Sequence, residues 1–186
     1  MIELAWQLMM GVGLAASAGL RAFLPLLVVG LAGRLELIGL GERFAWMSSD
    51  AALIVFAAAV LLEVLGDKIP LVDHALDAVG SFARPIAGAL AAASPITAMN
   101  PVTATVVGVI LGATVAGGVH AAKAGTRVLS TVGTAGLATP LVSVTEDVLS
   151  LLGAVISLFL PVVTFALALA VLYLVYRGRR ARPLRT

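Results

Sequence analysis

Two pairs of carboxylates, Glu63 with Asp67 and Asp73 with Asp77, are each four residues apart in the segment "EVLGDKIPLVDHALDAVG". At that spacing each pair shares one face of a helix. Two carboxylates on one face repel unless they share a proton, bind a cation or meet a basic partner. Lys68 lies in the same segment, and His74 can change charge near neutral pH. A second region supplies the opposite sign: His120, Lys123 and Arg127, at i, i+3 and i+7, make one basic stripe, and Glu146 with Asp147 returns an acidic pair.

These groups stand in an unusually hydrophobic chain. Of 186 residues, 61% are hydrophobic and 12% charged, against roughly 45–50% apolar and about 25% charged in soluble domains. The mean hydropathy is +1.10. An isolated charge in hydrocarbon costs about 2.5–3.5 kcal/mol even on the lenient insertion scale. Such groups must therefore face a bundle interior or water and pair with one another. The economical arrangement is a polar axis of Arg21, Glu63, Asp67, His120, Lys123, Arg127, Glu146 and Asp147. Its functional reading is a site for a proton, an ion or a small charged solute, with Lys68, Asp73 and Asp77 as further candidates. Its architectural reading is a set of salt bridges at helix ends that hold short helices together, which the balance of signs favours.

Other chemistry finds little support. With no cysteine, disulfides and thiolate sites are excluded. "DHALD" lacks the spacing of a zinc motif, and His74 and His120 are far apart, so no metal site is expected. Neither HExxH nor GxSxG occurs, nor a P-loop or dinucleotide fingerprint. No catalytic residue and no cofactor is expected.

The elements that carry these groups are apolar helices, and the predicted fold class is all-α: a polytopic transmembrane bundle with broken or re-entrant helices. The chain is too short for several spans plus a soluble domain. Residues 1–176 form a single transmembrane domain and 177–186 a basic tail. The N-terminal apolar run lacks a preceding Lys or Arg and continues past "ASAGL", so it reads as the first span rather than a cleaved signal. From Leu4 to Gly33 a helix would measure about 45 Å against a hydrocarbon core of about 30 Å. It must tilt strongly or break near "SAGLRAFLP", where Gly19 and Pro25 weaken it. Residues 34–50 read as an extramembrane loop with Trp46 as an interface anchor, and 51–66 as the next span. An amphipathic helix to about Phe82 follows, then an Ala-rich stretch punctuated by Pro85, Pro95 and Pro101. Residues 102–122 are a span whose Gly108, Gly112 and Gly117 or Gly118 suit close helix packing. "KAGTRVLSTVGTAGLATPLVSVTEDV" is too polar for lipid exposure and reads as buried or re-entrant chain. The last run, 148–176, carries Pro161 at its middle and fits a kinked helix or a hairpin.

"PLVDHALDAV" from Pro70 echoes "PLVSVTEDVL" from Pro140, aligning Asp77 with Asp147, and "SAGLRAF" more weakly echoes "AGGVHAA", aligning Arg21 with His120. As an internal two-fold repeat this gives two halves with a site between them. The tail "YRGRRARPLRT" places the C-terminus in the cytoplasm by the positive-inside rule, and lipid contact explains it better than nucleic-acid binding.

Taken together, "GLRAFLPLL", "LEVLGDKIPLVDHALDAV", "ARPIAG", "HAAKAGTRVLST" and "PLVSVTEDV" resemble the bacterial membrane family designated domain of unknown function 4126, over about Gly11 to Leu160. The resemblance implies a polytopic helical membrane protein and brings no activity with it. Its motif positions fall on Arg21, Pro25, Glu63, Asp67, Lys68, Pro70, Asp73, Asp77, Arg84, Pro85, His120, Lys123, Arg127, Pro140, Ser143, Glu146 and Asp147. "LATP" departs from the family pattern, which has Asn ahead of that proline. The expected function is a small transporter or channel-like protein of the bacterial inner membrane, for an ion or small charged solute. A non-transporting scaffold or lipid-binding protein is the alternative. The lipid bilayer is the expected partner, nucleic acid is not, and the glycine-rich faces suit a homodimer.

Overall fold

The computed structural model describes residues 1–67, 70–134 and 139–180, with side chains except at 68–75, 77, 127–140, 175 and 179–180. The side chains of Lys68, Asp73, Asp77 and Arg127 thus lie outside the described residues, as do those of His74 and Pro140. The described chain is helical: α1 (Ile2–Leu20), α2 (Phe23–Arg34), α3 (Asp50–Gly66), α4 (Pro70–Ala93), α5 (Pro101–Thr134), α6 (Thr139–Phe159) and α7 (Pro161–Arg180). A short 3-10 helix, Glu42–Ser48, precedes α3. Among the described residues three stretches are long and apolar enough to cross a membrane: Pro101–Thr126, Leu141–Phe159 and Pro161–Gly178. A fourth exists if the 3-10 helix and α3, bent by 66°, count as one broken span. The chain is a multi-pass membrane protein with an all-helical bundle fold.

The first apolar run does break, at Arg21, whose backbone is extended (φ −135°, ψ 121°). Pro25 contributes from the far side, because it has no N–H to offer the carbonyl four residues back, that of Arg21. The break is a reversal rather than a kink. Gln7 near the start of α1 bonds Thr97, and Gly41 beyond α2 bonds Ser94 O, so both ends of the α1–α2 unit return to one neighbourhood. At 12 residues, α2 is about 18 Å long and cannot cross a bilayer alone.

The N-terminal helix α1, read from the sequence as the first span, is the helix the others surround, packing on α4, α5, α6 and α7. Its sequence suits that place: small residues such as Gly13 let neighbouring backbones close in. A Cβ on Gly13 would collide with the hydroxyls of Ser157 and Thr164. Those two residues flank the α6–α7 junction, and Gly118 of α5 meets Leu172 further along α7. The chain therefore turns back at Leu160 and Pro161, and α6 and α7 form a hairpin against α1.

Two further expectations change. The helix expected to stop near Phe82 runs on through Pro85 to Ala93. It packs on α5 through Gly88 against Gly112 and Ala93 against Gly108, and tight neighbours tolerate the backbone bond that Pro85 loses. The expected loop at 34–50 folds in part, with Phe44 and Met47 buried beneath exposed Trp46, whose ring lies 6.0 Å from that of Phe56.

Candidate functional site: a charged knot at the α1–α2 reversal

A reversal between helices leaves carbonyls unpaired at the end of α1 and N–H groups unpaired at the start of α2. Inside an apolar bundle both sets need partners. Side chains distant in sequence supply them. Lys123 of α5 donates from Nζ to Leu20 O at 3.0 Å. Glu63 of α3 accepts from Ala22 N at 2.9 Å and Phe23 N at 3.3 Å. Each charge has the sign the local helix dipole favours, a cation at a C-terminus and an anion at an N-terminus.

Between those ends sits Arg21, fully buried. Its Nη1 pairs with the Asp67 carboxylate at the end of α3, and its Nε faces Asp147 Oδ1 of α6 at 2.5 Å. Nη2 donates to Ser143 Oγ at 2.9 Å, and that hydroxyl donates onward to Asp67 Oδ2 at 3.1 Å. Lys123 closes the group by pairing with Glu146 Oε2 at 2.9 Å. Burial is uneven: the Asp67 side chain is 3% exposed and that of Asp147 is 23% exposed.

Six of the residues singled out by sequence meet here: Arg21, Glu63, Asp67, Lys123, Glu146 and Asp147. His120 does not join them. Its Nδ1 lies 2.7 Å from Arg84 Nη1, and its Nε2 lies 3.5 Å from Ser81 Oγ, both on α4. The basic stripe therefore divides, because residues three apart on a helix differ by about 60° in direction. Lys68, Asp73, Asp77 and Arg127 cannot be placed, their side chains being outside the described residues. Among the described residues no group of three or more His, Cys, Asp or Glu side chains could hold a metal ion.

Reading charges and their spacing misses two contributors. Ser143 stands between Arg21 and Asp67, and buried Arg84 lines a cavity of about 190 Å3 whose wall also includes Glu63, Phe23 and Val79. Both lie within the family-like motifs "PLVSVTEDV" and "ARPIAG". Gly80 makes room for Arg84, since a Cβ there would come within 2.9 Å of the guanidinium carbon.

No curated protein and no solved structure matches the chain. Residues 8–181 match the model of the family described as domain of unknown function DUF4126, and the chain belongs to that family.

Proposed function

We propose that this protein moves an ion or small charged solute across a bacterial inner membrane, its C-terminus in the cytoplasm, and that the knot around Arg21 is the switch. The observation that carries this reading is the sharing of one buried guanidinium by Asp67 on α3 and Asp147 on α6, at a point where the chain reverses. A helix discontinuity with charged groups at both ends is the device secondary transporters use to hold ions and solutes. Asp147 is the more exposed acid of the two. A proton or cation arriving there weakens its hold on Arg21 and leaves Ser143 as the remaining contact of α6 with the guanidinium, while Asp67 keeps Arg21 in place. Such a group biases two arrangements of the bundle, which is what a transport cycle requires. The cavity beside Glu63 and Arg84 is lined mainly by apolar side chains, with these two buried charges among them.

The test is flux in proteoliposomes, followed with a pH-sensitive dye and by charge movement on a supported membrane. Asp147→Asn and Glu63→Gln should abolish the wild-type signal while the purified variants keep their helical content. Wild-type flux in both variants sinks the proposal. The second reading, a non-transporting scaffold, draws support from the burial of the Arg21–Asp67 and Lys123–Glu146 pairs. It expects no flux in any form of the protein and only lowered melting temperatures in the variants.

A further inference from the structure

The bundle holds two polar layers, and three helices measure the distance between them. One layer is the knot, at the end of α1, the start of α2 and the end of α3. The other joins Gln7 to Thr97 and Gly41 N to Ser94 O, and includes the exposed ion pair of Arg34 with Asp50 at 2.8 Å. Gln7 and Leu20 are 13 positions apart on α1, Phe23 and Arg34 are 11 apart on α2, and Asp50 and Glu63 are 13 apart on α3. At 1.5 Å per residue these separations come to about 20, 17 and 20 Å. The layers also mark the two ends of a membrane-crossing helix: α5 starts at Pro101, which lines one cavity with Thr97 and Gly41, and reaches the knot at Lys123.

Of these three helices, α3 carries the outward face. Ile54, Val55, Leu61, Leu62 and Leu65 are exposed on it, and no polar side chain interrupts the run between Asp50 and Glu63. Even measured on to Asp67 the helix is about 25 Å long, and tilt only shortens its share of the membrane normal. A hydrocarbon core is about 30 Å thick. The apolar stretches of α5 and α6, by contrast, run for 26 and 19 residues, or about 39 and 28 Å. The molecule therefore has a short side and a long side. The short side cannot stretch at the knot, where Glu63 and Asp67 are held by Ala22, Phe23 and Arg21. Nor can it borrow the 3-10 helix, which is bent by 66° from α3 and opens with exposed Glu42 and Arg43.

We infer that the bilayer is thinned beside α3, so that this face takes lipids with shorter acyl chains than the α5 face does. A short apolar stretch is met by thinning, by snorkelling of its flanking residues or by association. The pinned carboxylates leave no reach for snorkelling, and the apolar stripe of α3 continues the lipid-facing surface that α5 and α6 present with Val106, Ile110 and Leu152. The thinning bears on the knot. The cavity beside Glu63 and Arg84 has exposed Leu62 and Val79 in its wall, and a thinner bilayer brings the water boundary toward it from that side. The inference concerns the membrane around the chain and holds for a transporter and a scaffold alike.

The experiment uses the full chain with Trp6→Phe and Trp46→Phe, which removes both tryptophans. One reporter is then added, either Ala58→Trp at an exposed position midway along α3 or Ile110→Trp on the exposed face of α5. Each protein is reconstituted in mixtures of dibrominated eighteen-carbon phosphatidylcholine with unbrominated phosphatidylcholines of fourteen to twenty-two carbons, and bromine quenching reports which lipid sits beside the reporter. Ala58→Trp should favour fourteen- and sixteen-carbon chains over twenty-two-carbon chains roughly threefold, and Ile110→Trp should favour chains of eighteen carbons or more. Leu61→Trp carries the α3 measurement if Ala58→Trp does not fold. The same chain-length preference on both sides overturns the inference. So does α3 reporter fluorescence that brominated lipid leaves unquenched, since a second copy of the chain then covers that face.

Discussion

The carboxylate of Glu63 caps a helix to which it does not belong: it accepts the N–H of Ala22, 41 positions earlier in the chain, at 2.9 Å, and that of Phe23 at 3.3 Å. A local N-cap residue satisfies such groups from one turn away. Here the residue before α2 is Ala22, which has no side-chain acceptor, and Arg21 is turned toward two acids instead. Start and end of the reversal are thus closed by α5 and α3, so its partners come from elsewhere in the bundle.

Substitutions at Glu63 separate charge from hydrogen bonding. Glu63→Gln keeps an acceptor oxygen but removes the anion at the start of α2, and should cost about 1 kcal/mol. Glu63→Leu also strands N–H groups of Ala22 and Phe23, at about 1–3 kcal/mol for each group left buried and unmet. Melting curves in one detergent should therefore rank wild type above Glu63→Gln and that above Glu63→Leu. Equal melting of the two variants contradicts a capping role.

Arg21→Met leaves the carboxylates of Asp67 and Asp147 facing the position the guanidinium occupied. Breaking a buried pair from one side typically costs about 3–5 kcal/mol, because the abandoned charge remains. Adding Asp147→Asn to Arg21→Met removes one of the two abandoned charges and should restore part of the melting temperature. Two substitutions that together melt higher than the first alone demonstrate the coupling. Strictly additive losses would show that Arg21 and Asp147 act independently.

The charges announced themselves in sequence as one polar axis, and the individual pairings within it did not. Arg21 is the single basic residue in a long apolar run, and the four-residue spacing of Glu63 and Asp67 puts both on one face of α3. Spacing along α5 could not say which helices flank it, so His120 and Lys123 turn out to serve different neighbours, α4 for one and α1 with α6 for the other. Gly19 and Pro25 showed where the first run weakens, but Glu63 and Lys123, which close its reversal, and Ser94 and Thr97, which bring its two far ends together, are all distant in sequence. Pro85 looked like a stop because local propensity disfavours it. Packing through Gly88 and Gly112 outweighs that local cost.

That packing makes two glycines of one helix differ sharply. A Cβ on Gly112 would stand inside the van der Waals shell of Gly88 O and within 2.8 Å of Ala89 Cα, all backbone that cannot swing aside. Gly112→Ala must therefore push α4 from α5, and overpacking of this kind costs about 1–3 kcal/mol. The same substitution at Gly117 meets nothing within 4 Å, so only the backbone term remains, and alanine favours the helix by roughly 0.5–1 kcal/mol. Gly117→Ala should melt at or above wild type, and Gly112→Ala below it. Because α4 carries Arg84 and α5 carries Lys123, spreading the two helices also moves groups at the reversal. Gly112→Ala should then weaken the knot, read as a smaller additional loss when Glu63→Leu is introduced into it than into wild type. An undiminished loss would show that the α4–α5 seam and the knot are energetically separate.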